Sequence, residues 1–410
     1  MKYRGPADID SRSPSEMRIL VLTELFLPTK GGTAVWFDEV YRRLGGKEIH
    51  IVTAHVPGCE DYDRDHPNSV HRLRLVRHPW LRPESAAMYM KLLFKSLLLL
   101  RHRFEGVHAG RVLPEGLIGL IVARLARVPL VIYAHGEEIT TWRQAAKLRA
   151  MSYTYRHADL VVANSSFTRT ELLKLGVPAS RITVVYPGVD TARFRPGLDG
   201  ADLRSSTGIC PSRKLVLSVG RLTRRKGFDQ TLRAIARLRN QGHDIDYALI
   251  GVGDDRDYLR DIAGELDLGD RVHLLGDVPA EDLARWYNAA DVFAMPNRAV
   301  GSDNEGFGIV FLEAAACGKP VVGGKDGGTG DAVVDGVTGY RVDGSSVDEI
   351  ADALRRLLAD SVLARRLGAH GYARALAEFS WERVAQKTRI VCLRASNVRA
   401  GQAAYGANVD

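Results

Sequence analysis

Short apolar runs alternate with longer stretches in which apolar residues recur at helical spacing, and this pattern repeats over the two halves of the chain. MRILVLTELFLP (17–28) reads as a buried strand, and Gly31-Gly32 opens a helix to about Leu44. Strands are predicted at 49–56 and 70–77, a long helix near 85–103, a short strand at 106–110 and a helix at 115–126. Leu130–Ala134 follows as a buried strand, then a helix near 141–157 and strands Leu160–Ala163 and Ile182–Tyr186. Pro187–Gly200 carries little periodicity and reads as a linker. The second half predicts strands at Leu215–Val219, Tyr247–Gly251, Val272–Leu275, Val292–Met295 and Pro320–Val322, with helices between them and final helices, containing Trp381, to about Ser396. Strands alternating with helices imply parallel, doubly wound sheets.

A chain of 410 residues suits two domains, each able to bury its own core. No run reaches the eighteen or so apolar residues of a membrane span, and no signal peptide is present. Residues 1–16 are polar and read as a flexible leader. The four cysteines, Cys59, Cys210, Cys317 and Cys392, are widely spaced, as expected of free thiols in a reducing compartment.

The segment Asn304–Val322, NEGFGIVFLEAAACGKPVV, holds the densest candidate chemistry. Glu305 and Glu313 stand eight positions apart with Gly306 and Gly308 between them. A helix is predicted from Ile309, ending at Gly318-Lys319-Pro320. A helix start preceded by glycines presents free N–H groups and a positive dipole end to a phosphate. Glu305 before that start and Glu313 inside it can then address different parts of one elongated ligand; alone, the segment also fits a glycine-capped helix with two solvated glutamates. Gly220-Arg221-Leu222 follows a predicted strand, with Arg225-Lys226-Gly227 just beyond. Arg221 as a forked donor and Lys226 as a point charge suit a diphosphate; a solvated basic turn is the plainer alternative.

These segments together resemble the E-x7-E retaining glycosyltransferases of family 4, and the resemblance covers nearly the whole chain. It is carried by Gly31-Gly32, His135-Gly136-Glu137-Glu138, Gly220-Arg221-Leu222 with Arg225-Lys226-Gly227, the Glu305–Glu313 segment and Gly327-Gly328, in that order. The resemblance implies the GT-B fold: two Rossmann-like, doubly wound α/β domains facing a central cleft, with a C-terminal helix crossing back to the first. The expected division is an N-terminal acceptor-side domain over 17–190, a donor-side domain over 191–375, a crossover helix over 376–396 and a flexible tail over 397–410.

The resemblance also implies roles. Arg221 and Lys226 would hold the donor diphosphate, Gly31, Gly32 and Gly220 would approach it through backbone, and Glu313 would take the ribose hydroxyls. Glu305 and the backbone of Gly306, Phe307, Gly308 and Ile309 would hold the donor sugar, with His135 beside it and Val278, in the loop Gly276-Asp277-Val278, near the base. The resemblance implies that no cofactor and no metal are needed, and no side-chain nucleophile either, because the departing nucleotide diphosphate itself takes the acceptor's proton. This differs from the two-carboxylate scheme of hydrolases. Similarity to phospholipid-directed α-mannosyltransferases around HGEE and NEGFGIVFLEA makes GDP-mannose the first expected donor and a lipid-linked or glycan acceptor the expected partner. A UDP-hexose transferase with a small soluble acceptor, a non-hydrolysing sugar-nucleotide epimerase and a silent nucleotide-sugar-binding module are the other readings.

Other motifs are set aside. Asp61-Tyr62-Asp63 has the form of a metal-binding D-x-D but is expected in a polar loop. Gly251-Val252-Gly253 is half of a dinucleotide fingerprint without its third glycine. His71 and His78 lack a partner pattern for zinc. The formal charge is +8, and residues 71–150 hold 14 basic against 5 acidic residues. That segment includes MYMKLLFKSLLLLRHRF (88–104), whose Lys91, Lys95, Arg101 and Arg103 would face anionic headgroups if the helix lay on a membrane. The alternative is a helix packed on its sheet with these residues in water. Nucleic-acid binding is excluded as a reading for want of a recognition motif, and the expected location is the cytoplasm, peripherally on the inner face of the cytoplasmic membrane.

Overall fold

The computed structural model of the protein describes residues 17–76, 85–142 and 144–406. The expected leader and His78 lie outside the described residues.

Two parallel sheets carry the chain, as the alternating pattern implies. The first contains β1 (Ile19–Leu22), β2 (His50–Ala54), β3 (Ser69–Leu73), β4 (Gly106–Ala109), β5 (Leu130–Ala134), β6 (Leu160–Ala163) and β7 (Ile182–Val184), in the order β3-β2-β1-β4-β5-β6-β7. The second contains β8 (Lys214–Val219), β9 (Ile245–Ile250), β10 (Val272–Gly276), β11 (Val292–Met295), β12 (Val321–Gly324) and β13 (Gly339–Val342), in the order β10-β9-β8-β11-β12-β13. In each, strand order reverses direction beside the first strand, and ligands of such sheets bind at the carboxyl ends next to that reversal. In the second sheet the reversal lies between β8 and β11. The strands are buried on both faces: Leu215, Val216 and Leu217 of β8 and all of β11 are shielded from water, as strands covered by helices must be.

The chain groups into two compact units, residues 1–110, 114–130 and 392–410, and residues 111–113 and 131–391. Most of β5, with β6 and β7, therefore groups with the second sheet. Side chains explain why: Asp331 accepts from Ser166 N at 2.6 Å, from Ser166 Oγ at 3.0 Å and from Tyr186 OH at 3.0 Å.

Several elements depart from the sequence reading, three of them as follows. The helix Ser166–Lys174 went unseen because it buries only Thr168 and Leu172. β13 went unseen because GYRV is short and half polar. The last helix, Trp381–Gly406, runs past the expected end at 396 into the stretch read as a tail.

Candidate active site

The site grows from the end of β8. Gly220 has φ +153° and a Cβ there would lie 3.7 Å from the Lys226 stem, so the strand leaves its sheet through a conformation open to glycine. The loop beyond is braced by backbone: Leu222 N donates to Val252 O at 3.0 Å, and Asp255 N donates to Leu222 O at 3.2 Å. Gly251 and Gly253 allow this approach, since Cβ atoms on them would stand 1.9 Å from Gly220 O and 2.4 Å from Leu222 O. The half-fingerprint Gly251-Val252-Gly253 is thus a packing device under the basic loop. Arg221 is exposed on this loop; it forms no hydrogen bond or ion pair among the described residues.

A 3-10 turn, Arg224–Lys226, turns the next two cations inward before the helix Phe228–Asn240. Lys226 Nζ donates to Glu305 Oε2 at 2.5 Å and Arg225 Nη1 donates to the same oxygen at 2.6 Å. Arg225 also faces Asp303 at 3.2 Å and Glu137 at 4.0 Å. Lys226 and Glu305 are each only 8% exposed. Burial alone would raise the Glu305 carboxyl, but the two cations outweigh it and hold it below the usual range. Burial lowers Lys226, while Glu305, Asp303 and Glu137 together carry Arg225 above its ordinary value against the pull of burial. Two cations on one oxygen keep Glu305 ionised.

Glu305 is placed by glycines. A Cβ on Gly327 would stand 2.2 Å from Glu305 O, one on Gly328 would stand 1.9 Å from Gly306 O, and Gly328 N donates to Glu305 O at 2.8 Å. On the other side a Cβ on Gly306 would meet His135 O at 2.1 Å. His135 is fixed through its backbone: its N–H donates to Glu138 Oε1 at 2.9 Å and its carbonyl accepts from Asn164 Nδ2 at 3.0 Å. Gly308, with φ +87°, caps the helix Ile309–Ala316, whose start is as expected. Phe307 is buried at 2% exposure and stacks on Tyr186. Inside that helix, Glu313 Oε2 accepts from Tyr287 OH at 2.7 Å. Burial raises the Glu313 carboxyl, with Tyr287 opposing it.

The structure therefore brings Lys226 and Glu305 into contact, sets the Gly306 backbone against His135, and leaves Arg221 in water. Val278 is half-buried after β10, packed on the core. Gly31 and Gly32 belong to the first unit, where Gly31, with φ +140°, precedes the helix Gly32–Tyr41 and has open space around its Cα. Arg225, Asp303 and Tyr287 were not singled out from sequence. The basic run Arg224-Arg225-Lys226 was the available signal for the first; nothing local marks the other two. Asp61-Tyr62-Asp63 lies in a helix, Cys59–Arg64, and not in the expected loop. Asp61 pairs with Arg64 at 2.7 Å and Asp63 with Arg72 at 2.7 Å, so both carboxylates have cationic partners in the fold.

Two parallel Rossmann-like sheets, with cations and carboxylates gathered at the strand-order reversal of the second, define a GT-B glycosyltransferase. Residues 30–193 match the Glycosyltransferase Family 4 pattern and residues 200–374 match Glycosyl transferases group 1. The chain is 35% identical over 372 residues to the GDP-mannose-dependent alpha-(1-6)-phosphatidylinositol monomannoside mannosyltransferase of Mycolicibacterium smegmatis, covering 88% of this chain and 95% of that protein. It is 28% identical over 372 residues to a monoacylated-substrate counterpart from Corynebacterium glutamicum. Among solved structures it resembles Anabaena HepE in complex with UDP and glucose (TM-score 0.77, 23% identity, 92% of this chain and 99% of that one). Sucrose-phosphate synthase from Thermosynechococcus elongatus gives TM-score 0.78 at 24% identity, covering 92% and 98%. The chain belongs to the family 4, group 1 glycosyltransferases.

Proposed function

We propose that this glycosyltransferase is a retaining, metal-independent mannosyltransferase that moves mannose from GDP-mannose to a phosphatidylinositol-type lipid acceptor. The carrying observation is the buried convergence of Lys226 and Arg225 on Glu305 beside exposed Arg221. Fixed cations meet charge as it develops on a departing diphosphate, and such preorganised contacts supply much of the rate. Glu305, held between two glycine-lined backbones, positions the sugar, and Glu313, with Tyr287 beside it, takes the ribose. The departing diphosphate accepts the acceptor's proton on the face it leaves. The names of the Mycolicibacterium and Corynebacterium relatives support the donor and acceptor. Domains 17–190 and 191–375, with the crossover helix, remain our functional division into acceptor and donor sides.

The acceptor class has support from one surface. The helix Ala86–Leu99 exposes Met90, Phe94, Leu97 and Leu98, and the neighbouring helix Leu117–Ala126 exposes Ile121 and Leu125. Phe94 is 66% and Leu125 63% exposed, and Lys91, Arg101 and Arg103 stand nearby in solvent. An apolar face with a basic border suits an anionic bilayer surface, which supports a peripheral location on the inner face of the cytoplasmic membrane. No helix of the described residues is long and apolar enough to cross a membrane.

The test is a donor panel of GDP-mannose, UDP-glucose, UDP-galactose and UDP-N-acetylglucosamine with phosphatidylinositol mannoside in chelator. GDP-mannose should support acceptor-dependent GDP release and give an α-linked product. Transfer from a UDP-sugar alone, a β-linked product, or loss of activity in chelator overturns the corresponding part of the proposal.

A further inference from the structure

A second group of chemistry-bearing residues stands at the carboxyl edge of the first sheet, apart from the residues above. β2 ends at Ala54, and His55 N still donates to Leu73 O at 2.8 Å, so His55 leaves the sheet at its rim. The chain then turns, with Cys59 N donating to Val56 O at 3.2 Å, into the helix Cys59–Arg64. The turn folds Glu60 back onto His55, with Nε2 and Oε1 2.9 Å apart. Cys59 Sγ completes the group: the imidazole nitrogen, the sulfur and the carboxylate oxygen all lie within 4.8 Å of one another. Among the described residues this is the one set of three such donors that converges.

A His–Glu ion pair accounts for two of the three residues, and a buried thiol can serve as a small apolar filler. Cys59 also hydrogen-bonds Glu60, so the three donors are already drawn together, and an ion replacing the thiol proton would meet three chemically different donors from one six-residue span. Ligand bonds of about 2.0–2.3 Å in a tetrahedron place donor atoms roughly 3.3–3.8 Å apart, and the three donors here already lie within 4.8 Å of one another. The donor set selects the metal class. Thiolate and imidazole favour zinc and its neighbours over magnesium or calcium, which prefer oxygen. Thiolate and carboxylate together neutralise a divalent ion. Cys59 is 1% exposed, whereas the His55 and Glu60 side chains are 38% and 70% exposed. An ion held there sits at the protein's edge, with a fourth position on the solvent side.

We propose that His55, Cys59 and Glu60 form a three-ligand site for a zinc-class divalent metal ion, with water completing the tetrahedron. Its role is to clamp the helix Cys59–Arg64 to the rim of β2. That helix is otherwise tied down by Asp63 to Arg72 and by Tyr62 OH donating to Asp38 Oδ1 at 2.5 Å. The site plays no part in the proposed transfer chemistry, so its test reads binding and not turnover.

The full-length protein, reduced and stripped with chelator, would be titrated with Co2+ alone and then with Zn2+ in competition. One equivalent of Co2+ should bind with a thiolate-to-cobalt charge-transfer band in the near ultraviolet, and Zn2+ should displace it. Cys59→Ser should abolish the band, while Cys210→Ser should leave it intact. Because Cys59 is buried and its variant can misfold, His55→Ala and Glu60→Gln at exposed positions give an independent reading. Each should weaken Zn2+ binding by about tenfold or more with an unchanged circular dichroism spectrum. No charge-transfer band, a band that persists in Cys59→Ser, or unaltered Zn2+ affinity in both exposed variants overturns the proposal.

Discussion

Lys226 Nζ and Glu305 Oε2 meet at 2.5 Å across 79 residues of sequence. The two residues were assigned from sequence to different parts of the donor, diphosphate and sugar. Their contact makes those assignments interdependent: a diphosphate that draws Lys226 toward itself also loosens Glu305, leaving Arg225 as the remaining partner. Removing Glu305 is then a structural as well as a chemical change.

Glu305→Ala leaves buried Lys226 without its carboxylate partner, while Arg225 keeps Asp303 at 3.2 Å. Breaking a buried pair by deleting one partner costs about 3–5 kcal/mol; Arg225 still faces Asp303, so the lower end is expected. Transfer should fall about a hundredfold or more, yet GDP affinity should hold or rise because Lys226 is released. Calorimetry with GDP and chemical denaturation of the same variant check this. A Glu305→Ala protein that binds GDP more weakly than Glu313→Ala contradicts the roles assigned.

Arg221 is exposed and forms no hydrogen bond or ion pair among the described residues. Arg221→Ala should reduce turnover about a hundredfold, roughly 3 kcal/mol of transition-state stabilisation, and leave the unfolding midpoint unchanged. Steady-state kinetics beside a thermal melt would decide. Near-normal turnover removes Arg221 from the diphosphate site.

Glu305 and Glu313 should shift stability with pH in opposite senses. The Glu305 carboxyl lies below its ordinary 4.5 in the folded protein. Its stabilisation is therefore present above that value and lost as pH falls through the folded value. Glu313 lies above 4.5 through burial, so its contribution is present below 4.5 and lost as pH rises through the folded value. Relative to wild type, Glu305→Gln should grow less stable and Glu313→Gln more stable as pH rises from acid toward neutrality. Glu313→Gln should also weaken GDP binding, since the ribose loses an ionised acceptor. Denaturant midpoints across this range measure both slopes; parallel slopes would refute the electrostatic assignment.

The exposed face of Met90, Phe94 and Leu98 should carry the protein onto anionic vesicles. Attraction of about 1 kcal/mol per basic residue near the surface is screened by salt, whereas apolar insertion is not. Phe94→Ser with Leu98→Ser should reduce co-sedimentation in high salt, and Arg101→Gln with Arg103→Gln should reduce it in low salt. Lys91 is the poorer probe because its Nζ donates to Arg74 O at 2.7 Å. Equal recovery in the supernatant with anionic and zwitterionic vesicles would favour a soluble acceptor.

The sheets were legible because buried parallel strands leave continuous apolar runs: β5, β6 and β11 fall on the residues read from the pattern. The start of the helix at Ile309 was legible from its glycines. Ser166–Lys174 escaped because a helix covered on a narrow stripe shows little periodicity. In the site, Arg221, Lys226, Glu305 and Glu313 could be named because each lies in a local motif. The Arg225–Asp303 and Glu313–Tyr287 pairs could not, because which carboxylate meets which donor is settled only when distant strand ends converge. Cys59 reads from sequence as a free thiol, and its convergence with His55 and Glu60 is not legible there because an H-x3-C-E span has no familiar spacing.

The glycines at 251 and 253 brace the Arg221 loop through main chain, which leaves the Arg221 side chain without structural duty among the described residues. Charge and shape at Arg221 can be altered without unsettling the strand beneath. A lineage carrying this arrangement can retune its grip on a diphosphate through a surface substitution at Arg221, and an engineer can take the same route. The foundation is fixed by two missing methyl groups, and the Arg221 side chain standing on it is open to revision.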